Sequence, residues 1–322
     1  MTLFSQQLLD SLGILDWGYT EESIPHTYQE FENWTHTDAG PLSYLTDFRK
    51  ELRSDLKKVY PEFQSALVFL FNYQEEKKYL LDSDKFNIAG YALGFNGEDY
   101  HYEIGRRLKV LFDSLLLENA EFKISLDIQP VLERDLAYRA GLGWFAKNSM
   151  IISREHGSYF LIGTLLLNQK LNVPKKELTP DHCGKCTLCI DACPTQAIHP
   201  EGRTIKADLC LSTFTIELMH EADAPSGYEK SRGEIFGCDI CQDVCPWNKK
   251  VLKTKEITPF MSVRSIHLIE WLQRDPKIII EELEMMSKRG VKKFFQGTVF
   301  ERPGKMGWIK NLKTKLKLFH YP

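Results

Sequence analysis

Apolar positions along the chain follow two periods. Ser65-Ala-Leu-Val-Phe-Leu-Phe-Asn72 is a continuous apolar run of strand length, bounded by polar residues, as a strand buried on both faces requires. Tyr100–Glu118 instead spaces Ile104, Leu108, Leu111 and Leu115 at helical intervals along one stripe. Read the same way, Ser5–Ser11 is a short helix followed by a polar and aromatic loop to Phe31. Leu42–Tyr60 is helical, with Leu45, Phe48, Leu52 and Leu56 on one face, and Gln74–Asp84 is a charged, exposed stretch. Glu121–Leu126 is a short strand, and Val131–Gly141 is a helix closed near Gly141 and Gly143. Met150–Ser153 and Ser158–Leu167 are strands around the Glu155-His156-Gly157 turn. Strands alternating with helices predict a mixed α/β (α+β) domain over residues 1–172.

Asn172–Pro180, with two prolines and mixed charge, reads as a linker into a second domain over 173–250, in which Ala222–Glu234 is a polar surface excursion. Helices at Arg264–Leu272 and Pro276–Met286 and a basic tail form a third segment, 251–322. No apolar run approaches the ~18 residues of a membrane-spanning helix. The formal charge of -3 is unevenly spread: Lys288–Pro322 holds ten Lys or Arg against Glu301 alone, leaving a +9 tail on a -12 body. Such a tail points to a polyanionic partner. Phe294, Phe295, Phe300, Trp308 and Phe319 interleave with its cations and suit either base and sugar packing or burial against the body.

The chemistry concentrates in Cys183–Pro246, which holds all eight cysteines. Cys183-x-x-Cys186-x-x-Cys189-x-x-x-Cys193-Pro194 has the ferredoxin spacing, in which three thiolates wrap one cube and the fourth reaches another. Cys238-x-x-Cys241-x-x-x-Cys245-Pro246 is its counterpart, and Cys210 lies between them. This assigns one 4Fe–4S cluster to Cys183, Cys186, Cys189 and Cys245, and a second to Cys193, Cys210, Cys238 and Cys241. Zinc knuckles do not have this spacing, and disulfides call for an export leader that Met1–Leu12 does not resemble. Reduced, metal-binding cysteines place the chain in the cytoplasm. The chain has neither a Gly-x-Gly-x-x-Gly after a strand nor a Walker A run.

Two further constellations are candidates. Asp99-Tyr100-His101-Tyr-Glu-Ile-Gly105 approaches a cobalamin-ligating Asp-x-His-x-x-Gly signature but has one residue too many, so His101 is not read as a cobalt ligand; Asp99 reads as a helix cap. Asp127-x-x-Pro130-Val-Leu-Glu133-Arg134 leads from a strand end into a loop, where a carboxyl in a dry pocket can donate a proton near neutrality. Ala137, Ala140, Gly141 and Gly143 allow close backbone approach by a flat ligand or by another element.

Together these residues resemble the epoxyqueuosine reductase family. The resemblance is carried by Gly237-Cys-Asp-Ile-Cys-Gln-Asp-Val-Cys-Pro-Trp-Asn248, Asp181–Ile198, Cys210 with Thr215-Ile216-Glu217, and Ala140–Asn148. Gly157-Ser158-Tyr159, Tyr91-Ala92 and Asp99-Tyr100-His101 add to it. It implies a cobalamin- and iron–sulfur-dependent enzyme whose corrinoid-binding domain resembles the reductive dehalogenase core, joined to a ferredoxin-like double-cluster domain. The family reduces the epoxide of epoxyqueuosine at the tRNA wobble position, the last step of queuosine formation. An external single-electron donor of flavodoxin or ferredoxin type supplies the electrons. Carried over, the proton donor is Asp127, with Glu133 second. Cobalamin contacts come from Tyr100, His101, Arg134, Gly141, Gly143, Trp144, Lys147, Asn148, Ser149 and Ser158. tRNA contacts come from Lys292, Lys293, Arg302, Lys305, Lys310 and Lys313, on a monomer. The chain departs from the family in a longer Ala92–Asp99 link, in Leu211–Phe214, and in stopping without the helical-repeat module many members carry. Rival readings are a corrinoid reductase of a small molecule such as an organohalide, and a non-catalytic electron-transfer protein.

Overall fold

The structure is a computed structural model that describes residues 3–83, 87–254 and 262–319. The chain packs as two units, Met1–Asn72 with His101–Cys186 and Tyr73–Tyr100 with Thr187–Pro322. This division differs from the expected segments 1–172, 173–250 and 251–322: residues 73–100 group with the cysteine region, and so does the tail.

The first unit is built on a four-stranded sheet. Its strands are β1 (Ile14–Thr20), β2 (Ser65–Asn72), β3 (Phe122–Ser125) and, after the two-residue ribbon of β4 (Trp144–Phe145) and β5 (Ile151–Ile152), β6 (Phe160–Leu167). The order is β1-β2-β6-β3, and every pair is antiparallel. The mixed content is therefore of the α+β kind. Central β2 is buried from Ser65 to Phe71, which its unbroken apolar sequence required. The helix Glu133–Arg139 packs Leu136, Ala137 and Ala140 into the core beside Val68, Leu70 and Leu166.

Three expectations are corrected here. Ile14–Thr20 is a strand rather than a loop; a register shift between Ile14 and Asp16, and Gly18 in its interior, hide the two-residue period. Leu42–Tyr60 is three single turns rather than one helix. The Asp47 carboxylate accepts the Arg49 backbone N–H (2.9 Å) and Asp55 that of Lys57 (2.9 Å), so each aspartate interrupts the helix by capping a new turn. Gln74–Ser83 is a helix whose Gln74, Lys77 and Leu80 are buried, so it is not the exposed stretch its charge implied; Asp84 lies outside the described residues.

In the second unit the tail supplies the core. Phe300 and Trp308 are buried against Phe236, with ring centroids 4.7 Å and 5.8 Å from it, and buried Trp271 and Phe295 pack on each other and on Trp308. Phe236 stands two residues before Cys238, and its backbone is held by a parallel bridge to Ile88. The 222–234 excursion is also tied in: Tyr228 is buried and its hydroxyl donates to the Glu234 carbonyl (2.6 Å).

Gly18 of β1 faces the carbonyl of Ala140, and a Cβ there would overlap that oxygen. We expect Gly18→Ala to destabilise the first unit by about 1–3 kcal/mol, the usual cost of overpacking. A lowered first melting transition in calorimetry checks this; an unchanged melt refutes it.

Candidate functional site

In the first unit, β3 ends at Ser125 and the chain turns through Asp127, whose φ of 62° is left-handed. Asp tolerates that region better than most residues because of its short polar side chain. Glu133 opens the following helix and is half-buried. Its Oε1 accepts the Ser125 hydroxyl (2.7 Å) and the Asp127 backbone N–H (3.1 Å). Burial first, and the Asp127 carboxylate second, push the Glu133 carboxyl up to about 7. The exposed Arg134 guanidinium donates to the Ser149 carbonyl (2.5 Å) and hydroxyl (3.1 Å), and Ser149 is itself left-handed at φ 64°. The result is a rim of two carboxyls, a guanidinium and hydroxyls at one end of the sheet. A carboxyl that titrates near neutrality beside an exposed one can hold and renew a proton there.

Other expected residues do different work. A Cβ on Gly141 would strike Lys176 and Glu177, and one on Gly143 the Ile152 backbone; both glycines admit another element of the chain. Trp144 is buried with its indole Nε1 3.4 Å from Cys183 Sγ. Lys147 Nζ donates to the carbonyls of Gly184 (2.8 Å) and Cys186 (2.9 Å). Both residues therefore serve the Cys183–Cys186 loop, which turns tightly through a Cys186 N–H to Cys183 carbonyl bond (3.0 Å). Asn148, Ser149 and Ser158 are buried. His101 is half-buried on the helix Tyr100–Ser114, and in the second unit Tyr100 packs edge-on to Tyr91 at 5.9 Å.

The second unit brings together Cys193, Cys210, Cys238 and Cys241. Burial pushes the Cys210, Cys238 and Cys241 thiols up. Cys193 acts on Cys210, Cys210 on Cys238, and Cys210, Cys193 and Cys189 on Cys241. Neighbouring half-buried cysteines, three of them with thiols raised by burial, fit a multinuclear cation as their natural complement. Among the described residues no three His, Cys, Asp or Glu side chains converge tightly enough for a single metal ion; a cube spaces its thiolates more widely.

Behind the Cys238–Cys241 loop lies Lys77, only 2% exposed, with its ammonium 3.0 Å from Asp239 and 2.6 Å from Asp243. Burial alone would push Lys77 down, but the two carboxylates outweigh it and its pKa is raised. Asp239 also accepts the Gly90 N–H (2.7 Å), and Arg232 completes the network on Asp243 (2.9 Å). Lys77 escaped sequence reading because it sits in a charged run; its only signal is the spacing of Gln74, Lys77 and Leu80.

The tail cations are partly committed. Lys310 is buried, donating to the carbonyls of Phe214 and of Leu218 (2.7 Å), and burial lowers its pKa to about 8. It is not available to tRNA, which corrects that expectation. Arg302 pairs with Glu217 (2.6 Å), Lys313 with Glu284 (2.7 Å) and Lys292 with Glu301 (3.5 Å), all at the surface. Lys305 donates to the Glu284 (2.8 Å) and Met286 (2.6 Å) carbonyls, and Lys293 is exposed. Lys288, Lys292, Lys305, Met219 and Met306 line a surface hollow of about 350 Å³.

Residues 182–248 match a family described as a 4Fe-4S double cluster binding domain, and residues 53–127 one described as epoxyqueuosine reductase QueG, DUF1730. An epoxyqueuosine reductase of Leadbetterella byssophila is 39% identical over 244 residues, 74% of this chain and 75% of its own. One of Cyclobacterium marinum is 33% identical over 307 residues, 94% and 91%. The fold matches the solved epoxyqueuosine reductase of Streptococcus thermophilus with TM-score 0.75 at 23% identity, over 98% of this chain and 80% of that one. It also matches an epoxyqueuosine reductase solved with an epoxyqueuosine-modified tRNA-Tyr stem loop, with TM-score 0.71 at 25% identity over 98% and 81%.

Replacing Lys77 with Met would leave two carboxylates facing each other out of water. We expect a loss of about 3–5 kcal/mol, the cost of breaking a buried pair from one side, read by denaturant unfolding of the anaerobically prepared protein. A variant as stable as the parent refutes the role given to Lys77.

Proposed function

The chain belongs to the epoxyqueuosine reductase family, and from that premise we propose how its own residues carry the reaction. It is an epoxyqueuosine reductase: the epoxide of epoxyqueuosine in tRNA takes up two electrons and two protons, the carbon–oxygen bonds break, and an alkene and water result. Bound here, two 4Fe–4S clusters relay single electrons and cobalamin supplies the strongly reducing centre that opens the epoxide.

The cluster ligands are Cys183, Cys186, Cys189 and Cys245 for one cube, and Cys193, Cys210, Cys238 and Cys241 for the other. The ferredoxin spacing supports this division, and the mutual influence of Cys193, Cys210, Cys238 and Cys241 accords with the second set. Arg134, Asn148, Ser149 and Ser158 are the first unit's groups for cobalamin; a guanidinium, an amide and hydroxyls match the amide-fringed edge of a corrin. Asp127 donates the proton to the departing oxygen, and Glu133 holds the proton that restores it. The observation that carries this reading is the Glu133 carboxyl, pushed to about 7 and hydrogen-bonded to the Asp127 backbone.

The anticodon bases must leave their stack to be reduced, which single-stranded loops allow. Lys292, Lys293, Arg302, Lys305 and Lys313, with the neighbouring Lys288, are the cations offered to the phosphates. The lysine-lined hollow supports that role. The electron donor is a flavodoxin- or ferredoxin-like protein, and the chain works as a monomer in the cytoplasm. Among the described residues no helix is long and apolar enough to cross a membrane.

The direct test is epoxide loss from epoxyqueuosine-bearing tRNA, given the anaerobic protein, cobalamin and a strong reductant; an intact epoxide refutes the reading. In that assay Asp127→Asn should lower kcat about 10²–10⁴-fold, the usual worth of a positioned acid. Glu133 is protonated below about 7 and ionised above it, so turnover should fall as pH rises through 7. Glu133→Gln should lower the rate and abolish that limb; a limb that persists assigns the proton elsewhere. Reversing Lys288, Lys292 and Lys293 to Glu should weaken tRNA binding and flatten its dependence on salt by about 0.7–0.9 in log–log slope for each phosphate no longer neutralised.

A further inference from the structure

We propose that Trp144 and Lys147 are positioning residues for electron transfer, setting the reduction potential of the cluster held by Cys183 and Cys186. The proposal rests on the reading above that these cysteines are cluster ligands. Trp144 has little freedom. It is 1% exposed, is paired with Ile152 in the β4–β5 ribbon, and meets His182 edge-on at 5.0 Å. An indole has one donor and no acceptor, and a buried one needs a partner. Here the Nε1–H lies 3.4 Å from Cys183 Sγ. Lys147 brings a full positive charge to the same loop, anchored on the Gly184 and Cys186 carbonyls that flank the ligands.

When such a cluster is reduced, the added charge spreads onto its thiolate sulfurs. Donors and cations beside those sulfurs then stabilise the reduced form more than the oxidised one and raise the potential. The loop of Cys238 and Cys241 has cations at one remove, paired with its carboxylates. Asp239 lies within it, with the Lys77 ammonium shared between Asp239 and Asp243 and the Arg232 guanidinium between Glu234 and Asp243. Trp144 and Lys147, which the family resemblance assigns to cobalamin, act on the electron relay instead.

The test is an EPR-monitored redox titration of the anaerobically prepared holoprotein. Trp144→Phe keeps a buried ring and removes the N–H. We expect its iron content and both cluster signals to match the parent, with one midpoint moved to more negative values and the other unmoved. A tenfold change in the one-electron equilibrium constant is about 59 mV, the size of shift sought. Lys147→Met should move the same midpoint in the same direction, and Lys147→Arg should restore it. Unmoved midpoints with full iron overturn the proposal, as does an equal movement of both. If Trp144→Phe loses iron, Lys147→Met and its Arg rescue decide the matter by the same midpoint. A parent protein with far fewer than about eight irons per chain refutes the ligand assignment itself, a failure distinct from unmoved midpoints.

Discussion

Holding thiolates out of water is the constraint on which most of this structure depends. A buried negative charge is costly unless cations and N–H groups surround it. The chain meets that demand by recruiting from distant parts of its sequence. Trp144 and Lys147 turn toward the Cys183–Cys186 loop, and Lys77 reaches the carboxylates that flank Cys241. The glycines beside Trp144 have the same logic: Gly143 lets the β4–β5 ribbon close, which fixes the indole in place.

The Asp127–Glu133 pair shows the opposite arrangement. Burial first and the Asp127 carboxylate second push the Glu133 carboxyl up to about 7, against the lowering effect of its hydroxyl and backbone N–H partners. One unit thus contains both a carboxyl that can remain protonated and a loop made hospitable to negative charge. Each follows from what the fold places around the group, and neither follows from the residue type alone.

The sequence was most legible where one requirement acted alone. The all-apolar run of β2, the stripe of the long helix at Tyr100–Ser114 and the cysteine spacing each have a single physical cause. Reading failed where two causes overlapped. In β1 the alternation is broken by a register shift and Gly18; between residues 42 and 60 an apolar stripe persists while Asp47 and Asp55 cap separate turns. Charge misled in the same way. Lys77 and Lys310 look like surface lysines until the fold supplies two carboxylates for one and two carbonyls for the other. The Asp127–Glu133 pair could be named from its loop, whereas the raised pKa of Glu133 needed the enclosure that only the folded chain provides.

The last long helix, Gly304–Phe319, has a bearing on the order of assembly. Asn311 holds the carbonyls of Thr215 (2.7 Å) and Ile235 (2.9 Å), and Lys310 those of Phe214 and Leu218, so this helix clasps the segments that follow Cys210 and precede Cys238. A ribosome delivers every cysteine before it delivers that clasp. Iron that arrives while the chain is still being made meets ligand loops without their backing. The backing of these two segments is therefore complete only once this helix has folded onto them, after every cysteine has been made.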